Sequence, residues 1–262
     1  MRVLVRGAGD LASGILHKLA NCGFELVALE VEHPSSIRRW VSFSEAVYRG
    51  SCEIEGVTAV RVDSFAEAKE AFSRHQIAVM VDPEAMLLKT ERFDAVVDAI
   101  IAKRNLGTRI DMAPVVIGVG PGFEAGKDCH YVVETKRGHH LGRIYTSGCA
   151  IPNTGIPGDI QGFSIQRVVH SPYAGEMCCL HQIGDIVKEG EPLALVGGQP
   201  VKATMDGLLR GILPDGYPVT VKLKMADIDP RTDQVKNCNT ISDKARCIAG
   251  GVLEAILRGY PV

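Results

Sequence analysis

The first stretch of this sequence whose residue types and spacing could do chemistry is Gly7-Ala8-Gly9-Asp10-Leu11-Ala12. It follows the apolar run Val3-Leu4-Val5 and precedes Leu11, Ile15, Leu16 and Leu19 at helical spacing, so it reads as a G-x-G-x-x-A turn between a strand and a helix. In that context Gly7 permits the tight turn, Gly9 admits a pyrophosphate to the backbone, and Ala12 is small enough for close helix–strand packing. The N–H groups that open the helix would face an anion, and Asp10 stands where it could cap the helix or sense a ligand phosphate. Glu30 closes the second apolar run at the spacing from Gly9 at which a carboxylate accepts the ribose hydroxyls of a nucleotide. Arg38 and Arg39 follow shortly after, and arginines there hold a 2′-phosphate, so NAD and NADP stay open as alternatives. A degenerate turn that packs and binds nothing is the other reading.

Further along, Lys103, Arg104 and Asn105 follow the run AVVDAI and should emerge at the carboxyl edge of a sheet, where open α/β proteins bind ligands. A Lys-Arg pair suits a phosphate or carboxylate there, against the plainer reading of a solvated loop. Gly118, Gly120 and Gly122 imply backbone brought close to a ligand or to another segment. His139 and His140 are adjacent and read as an ordinary loop before they read as a general base or metal ligand. Asn153-Thr154-Gly155-Ile156-Pro157-Gly158 reads as a rigid double turn at a hinge. The eight cysteines include no CxxC pair and no fixed base nearby in sequence, so none is named a nucleophile, reduced thiols are expected, and no metal site is expected.

The elements that must position these groups are short β-branched runs at 3–5, 26–31, 57–62, 77–81, 95–100 and 115–119, alternating with amphipathic segments. Uninterrupted apolar strands of this kind belong to a parallel sheet covered on both faces. The fold class expected is therefore α/β, a Rossmann-like open parallel sheet over residues 1–160. From about 163 to 230 the texture changes: Gly175, Gly184 and Val187 recur as Gly207, Gly216 and Val219, all three at one constant displacement. Two such halves predict a small β barrel-sandwich closed by pseudo-twofold symmetry, since neither can bury its own apolar face. It resembles the biotinyl/lipoyl type, although the turn between halves is Val196-Gly197-Gly198-Gln199-Pro200 with Lys202 displaced past it, so a docking or lid role fits better than carriage of a swinging group. Residues 238–262 predict a helix returning to the first domain, with Thr240 as N-cap, Gly259 and Pro261 as stop signals, and Gly250-Gly251 inside it where backbone packs closely.

Composition narrows the function classes. With 29 basic and 31 acidic residues among 262, the net charge of −2 offers no field for nucleic acid or an acidic membrane surface. No apolar run approaches the roughly 18 residues of a membrane span. The N-terminus lacks the apolar core of a secretory signal, and a cytoplasmic location is expected.

The stretches VLVRGAGDLASGI, SSIRRWVSFSEAVYRG, VVDAIIAKRNLGT, GVGPGFEAGKDCHYVVETKRGHHLGR, NTGIPG, DIDPR and TISDKARCIAGGVLEAIL together resemble the YqeB-type accessory proteins of the selenium-dependent molybdenum hydroxylase system. A more distant similarity is to the accessory proteins of xanthine dehydrogenase, which mature or insert the sulfurated molybdenum cofactor, although this chain lacks their paired-cysteine motif. The resemblance implies a maturation factor that binds NAD(P) or a molybdopterin-type cofactor through Gly7, Gly9, Asp10, Ala12, Glu30, Lys103, Arg104 and Asn105. It implies a molybdenum hydroxylase and a small-molecule nucleotide as partners, and leaves a homo-oligomer open. An NAD(P)-dependent oxidoreductase with His139 or Lys103 as proton donor, and a non-catalytic nucleotide-sensing scaffold, are the alternatives; whether the chain is an enzyme stays open.

Overall fold

A computed structural model describes residues 1–155 and 158–259. Ile156 and Pro157 of the expected hinge turn, and Pro261 of the expected stop signal, lie outside the described residues. The chain divides into two units, Met1–Pro34 with Ser42–Thr154 and Ile241–Val262, and Ser35–Val41 with Gly155–Thr240. The segment Ser35–Val41 had not been expected in the second unit. It is held there by backbone: Ile212 N donates to Ile37 O at 2.9 Å, and a Cβ on Gly211 would lie 2.9 Å from that same oxygen.

The first unit is mixed α/β. Its strands are β1 (Arg2–Arg6), β2 (Glu25–Glu30), β3 (Ser51–Ile54), β4 (Val57–Val62), β5 (Ile77–Val81), β6 (Ala95–Asp98), β7 (Val115–Val119), β8 (Glu124–Ala125), β9 (Tyr131–Val133), β10 (Ile144–Tyr145) and β11 (Gly148–Cys149). Its helices are α1 (Asp10–Asn21), α2 (Glu45–Arg49), α3 (Phe65–Ser73) and α4 (Asp243–Gly259). Nine strands form one sheet in the order β10-β9-β7-β6-β1-β2-β5-β4-β3, parallel throughout except for the antiparallel edges β10 and β3. All six apolar runs read from the sequence are adjacent parallel strands within it. Strand alternation divides the core: Val3 and Val5 pack with Ile15, Leu16 and Ile248 from α1 and α4, whereas Leu4 packs with Phe65 and Ala68 from α3. Because the chain leaves β1 for β2 and later returns to the other side of β1 at β6, the strand order reverses between β1 and β6. In open α/β sheets, ligands bind beside such a reversal, outside the carboxyl ends of the strands.

α4 packs on α1 through small residues. A Cβ on Gly14 would stand 2.7 Å from the Cβ of Ala245, so only glycine allows the two helices this separation. Helix α4 begins at Asp243, and the side chain that caps it is that of Ser242, whose hydroxyl accepts from Ala245 N at 3.2 Å. Thr240, expected in that role, instead donates to Asn237 O. The two glycines inside α4 separate in the structure. A Cβ on Gly251 would collide with Gly142 O at 2.2 Å, whereas one on Gly250 would meet nothing within 4 Å.

The second unit holds two four-stranded antiparallel sheets around one apolar core. Strands β12 (Val168–His170), β19 (Lys224–Asp229), β17 (Gly207–Ile212) and β14 (Ile186–Val187) form one; β16 (Gln199–Lys202), β15 (Pro192–Val196), β13 (Gly175–Cys179) and β18 (Pro218–Val219) form the other. The repeat is realised as reciprocal pairing. Gly175 pairs with Val219 while Gly207 pairs with Val187. Gly184 N donates to Leu209 O at 2.9 Å, and Gly216 N to Met177 O at 2.7 Å. Each bond is the image of the other under the displacement of the repeat, so each half completes the sheet of its partner. Gly197 and Gly198, both with positive φ (56° and 78°), make a two-residue turn between β15 and β16, which fits the primed hairpin turns that need such backbone.

The glycine pair gives opposite predictions. Gly250→Ala should raise stability by roughly 0.5–1 kcal/mol through helix propensity, whereas Gly251→Ala should lower it by about 1–3 kcal/mol through overpacking. Thermal unfolding of the two variants measures both signs.

Candidate functional site

The site is built at the carboxyl edge of the sheet, where β1 runs into α1. Gly7 has φ of +96°, donates to Leu29 O at 2.7 Å, and approaches the next loop so closely that a Cβ would lie 3.1 Å from Ala99 O. Ala8 is held on both sides of its peptide: its N–H donates to Glu30 Oε1 at 2.7 Å, and its carbonyl accepts from Ser44 N at 2.9 Å and from Ser13 Oγ at 3.0 Å. Gly9 is the N-cap of α1 in extended backbone (φ −71°, ψ −175°) and supplies no side-chain cap. The N–H groups of the first helical turn have no intrahelical acceptor. Those of Leu11 and Ala12 are also given to no side chain among the described residues. The result is a braced turn that carries amide donors and the positive end of the helix dipole at the carboxyl edge of the sheet. Ala12 itself is buried in the core.

Glu30 lies against this turn. Its carboxylate accepts from Ala8 N and from Val31 N (3.0 Å), and burial, outweighing those two bonds, raises its pKa above the usual carboxylate range. Glu30 thus braces the turn as well as standing beside the expected ribose position. On the opposite sheet face Arg6 leaves the end of β1. Its guanidinium reaches Asp98 Oδ2 (3.3 Å), Thr108 Oγ1 (2.6 Å), Leu106 O (3.1 Å) and Pro83 O (3.4 Å), and the Arg6 and Asp98 side chains are only 5% and 2% exposed. Thr108 Oγ1 donates on to Asp98 Oδ2 at 2.6 Å. Burial pushes the Asp98 carboxyl up, while the Thr108 bond, the Arg6 charge and the Ile100 N–H oppose it.

Between the glycine turn and β7 runs the loop after β6. Ile101 and Lys103 sit in left-handed backbone at φ of +60° and +62°, a conformation that side chains with a Cβ adopt at a cost of order 1–3 kcal/mol. The loop is wedged: Gly7 faces Ala99 and Ile100 on one side, and a Cβ on Gly122 would lie 2.6 Å from Arg104 N on the other. Lys103 and Arg104 are both exposed on it. Asn105 is committed elsewhere, its amide donating to Thr108 O (2.8 Å) and accepting from Thr108 N (2.7 Å), so it shapes the loop. The structure therefore brings Gly7, Gly9, Asp10, Glu30 and the Ala99–Arg104 loop to one edge and places Ala12 and Asn105 in the framework.

Besides Arg6 and Asp98, a third charged residue at this edge was missed from the sequence. Lys244, in the first turn of α4, is half-buried and forms no hydrogen bond or ion pair among the described residues. Burial, reinforced by the Arg137 charge, holds its ammonium below the usual lysine range, against the opposite pull of Asp10, Glu134 and Asp243. The docking of α4 on α1 brings Lys244 within the electrostatic reach of Asp10, although the two stand near opposite ends of the sequence. Arg137 is clamped by Asp243 at 2.8 and 3.1 Å. Glu134, fully buried, accepts from the N–H groups of Thr135, Lys136 and Ile151 at 2.7–2.8 Å and orders the end of β9.

Arg38 is buried in the second unit and donates to Thr240 O, and Arg39 donates to Ile212 O there. His139 and His140 are exposed, with His140 Nδ1 3.0 Å from Arg143. Burial pushes the thiols of Cys52, Cys129 and Cys179 up to about 11, away from nucleophilic thiolate. Among the described residues no three His, Cys, Asp or Glu side chains converge on a metal-sized site, and no helix is long and apolar enough to cross a membrane.

Compared with known proteins, the chain is 51% identical over 255 residues to a protein of Escherichia coli (strain K12) named "Uncharacterized protein YqeB". The similarity takes in 97% of this chain and 47% of that protein, so the chain spans about half the length of the relative it matches. No protein-family model matches. Among solved structures, the product-bound ectoine utilization protein EutE (DoeB) from Ruegeria pomeroyi is 14% identical, with a TM-score of 0.25 over 87% of this chain and 84% of that one.

Two variants test the electrostatics of this edge. Arg6→Met leaves Asp98 buried without its cation and should cost about 3–5 kcal/mol in denaturant unfolding. Lys244→Met removes a desolvated charge and should raise stability at neutral pH by roughly a few tenths of a kcal/mol, since the ammonium is partly solvated. In the parent protein the unfolded state binds the extra proton between the lowered Lys244 pKa and the ordinary lysine value. Stability should therefore gain from this group as pH rises through that window, and the variant should lose the gain.

Proposed function

We propose that this chain is an accessory or maturation factor for selenium-dependent molybdenum hydroxylases that binds a dinucleotide or molybdopterin-type ligand at the carboxyl edge of its parallel sheet. In this reading the first unit is a Rossmann-like domain. The second is a barrel-sandwich of the biotinyl/lipoyl type whose outer surface meets the hydroxylase. What supports the ligand half is an α1 N-terminus without a side-chain cap, on a helix against which α4 packs at Gly14 and Ala245, with the half-buried Lys244 next to Ala245 and within electrostatic reach of Asp10. A cation kept partly out of water without a partner is destabilising in the free protein, and an anion at the helix start would relieve it. NAD(P) and molybdopterin-type cofactors both carry phosphate, so both present the anion these donors suit.

Each residue then has a task. Gly9 lets the phosphate approach the backbone, and the amides of Leu11 and Ala12 donate to it. Glu30 holds the turn rigid through Ala8 N and offers a carboxylate oxygen toward a ribose. Lys244 supplies charge from the α4 side, and Lys103 and Arg104 supply it from the strained loop. The hydroxylase half rests on the motif resemblance across residues 3–257. The exposed Leu180 and Val221 of the second unit are apolar surface for such a partner.

Calorimetric titration with NAD, NADP, ATP and molybdopterin cytosine dinucleotide tests the ligand. At least one should bind, and Gly9→Val should weaken it at least about tenfold, or 1.4 kcal/mol. Because the φ of Gly9 suits any residue, the variant reports steric approach and not backbone strain. Failure of all four to bind, or unchanged affinity in the variant, refutes the site. Consumption of NADH with a small carbonyl compound would favour the oxidoreductase instead. Co-purification with a molybdenum hydroxylase should be lost in a Leu180→Glu, Val221→Glu variant; retention removes the docking role.

A further inference from the structure

The same strand-end edge carries a second concavity on the far side of β2, a groove of about 430 Å³ at the ends of β4 and β5. Its apolar lining is Val62, Met80, Val81, Met86 and Leu87, and its polar lining is Asp63, Asp82 and Thr90. That volume falls within the range of small-molecule sites, which run from about 300 to 1,000 Å³.

The groove is shaped by a local device. Asp82, just past β5, accepts from Met86 N at 2.9 Å on one oxygen and from Leu87 N at 2.8 Å on the other. This double bond to the backbone folds residues 83–87 into a tight loop, in which Ala85 takes left-handed backbone at φ of +53°. The loop places the half-exposed Met86 in the lining together with the buried Met80. Two thioethers with three aliphatic neighbours offer a polarisable, adaptable wall to a flat ring. The polar atoms left over are acceptors: the exposed carboxylate of Asp63, only 3.6 Å from Arg61, and the hydroxyl oxygen of Thr90, whose proton is given to Leu87 O. A rim whose remaining polar atoms are acceptors welcomes N–H donors.

From this we infer that the groove binds an amino-substituted planar heterocycle, the base of a nucleotide or a pterin. The inference rests on the proposed reading in one respect, that this edge is the ligand-binding edge, and extends it by dividing the ligand by charge. The anion goes to the turn after β1, and the uncharged ring goes to the groove. At about 4.8 Å per strand the groove lies roughly 12 Å from the end of β1, counted over two and a half strand spacings.

Adenosine, cytidine and pterin, none carrying phosphate, are titrated into the full chain and followed by ligand-observed NMR. At least one should bind saturably. Thr90→Trp, which fills the groove from an exposed position, should weaken it at least tenfold. Asp63→Asn, a largely solvated change that removes only the exposed pair with Arg61, should weaken it about threefold. Absence of binding by all three compounds, or affinity unchanged in both variants, overturns the inference. Inorganic pyrophosphate is titrated in parallel and reads the turn alone: if it fails to bind while a nucleoside or pterin does, the turn reading fails and the groove stands.

Discussion

The buried Arg6 guanidinium is the interaction on which the strand-end edge is mounted. It gathers a carboxylate from β6, the Thr108 hydroxyl and Leu106 carbonyl from the loop after β6, and the Pro83 carbonyl from the loop after β5, so three segments converge on one planar cation. With Arg6 and Asp98 both almost fully buried, neither charge can be lost without leaving the other uncompensated. The fixed geometry of a guanidinium sets the position of each partner, which a flexible ammonium would not do. With Leu106 and Thr108 fixed at one end and Asp98 at the other, the intervening loop has little freedom, and Ile101 and Lys103 are held in backbone they would not choose. That loop in turn walls the glycine turn through Ala99 and Ile100.

The Arg6 cluster was not legible in the sequence, whereas the strands, the glycine turn and the repeat were, for reasons that differ by element. The parallel strands were readable because burial on both faces keeps most of their central positions apolar, with polar residues mainly at the strand ends. The glycine turn was readable because a tight strand-to-helix connection admits few residue types at Gly7. The repeat at Gly175 and Gly207 was readable because both halves need glycine at the same place, and the structure shows why: a Cβ would lie 2.7 Å from Gly197 in one case and 2.5 Å from Asp229 O in the other. Lys244 was not readable, since nothing about a lysine early in a helix says that α4 will dock beside α1. The same holds for Ser35–Val41, whose exchange into the second unit depends on a bond between Ile37 and Ile212, a partner far along the chain. Asn105 looked like a ligand group because of its neighbours, but its amide had a nearer use in closing its own turn.

The two units use glycine for different ends. In the second, positive-φ glycines let strands from the two halves approach and exchange partners, which builds a core from segments too short to have one alone. In the first, glycines at 7, 120 and 122 bring loops together at the strand ends, with Gly120 against the Thr135 hydroxyl and Gly122 against Arg104. Close backbone approach in the second unit yields packing, and in the first it yields a wall of amides and cationic side chains.

The central claim is that the start of α1, aided by Lys244, holds a phosphate. The most direct measurement is an amide ¹H–¹⁵N NMR titration of the full chain with ADP-ribose or a molybdopterin dinucleotide. The account predicts that the largest shifts fall on Gly9, Leu11 and Ala12, with Lys244 next. Shifts that are absent there, or that gather only in the second unit, would contradict it.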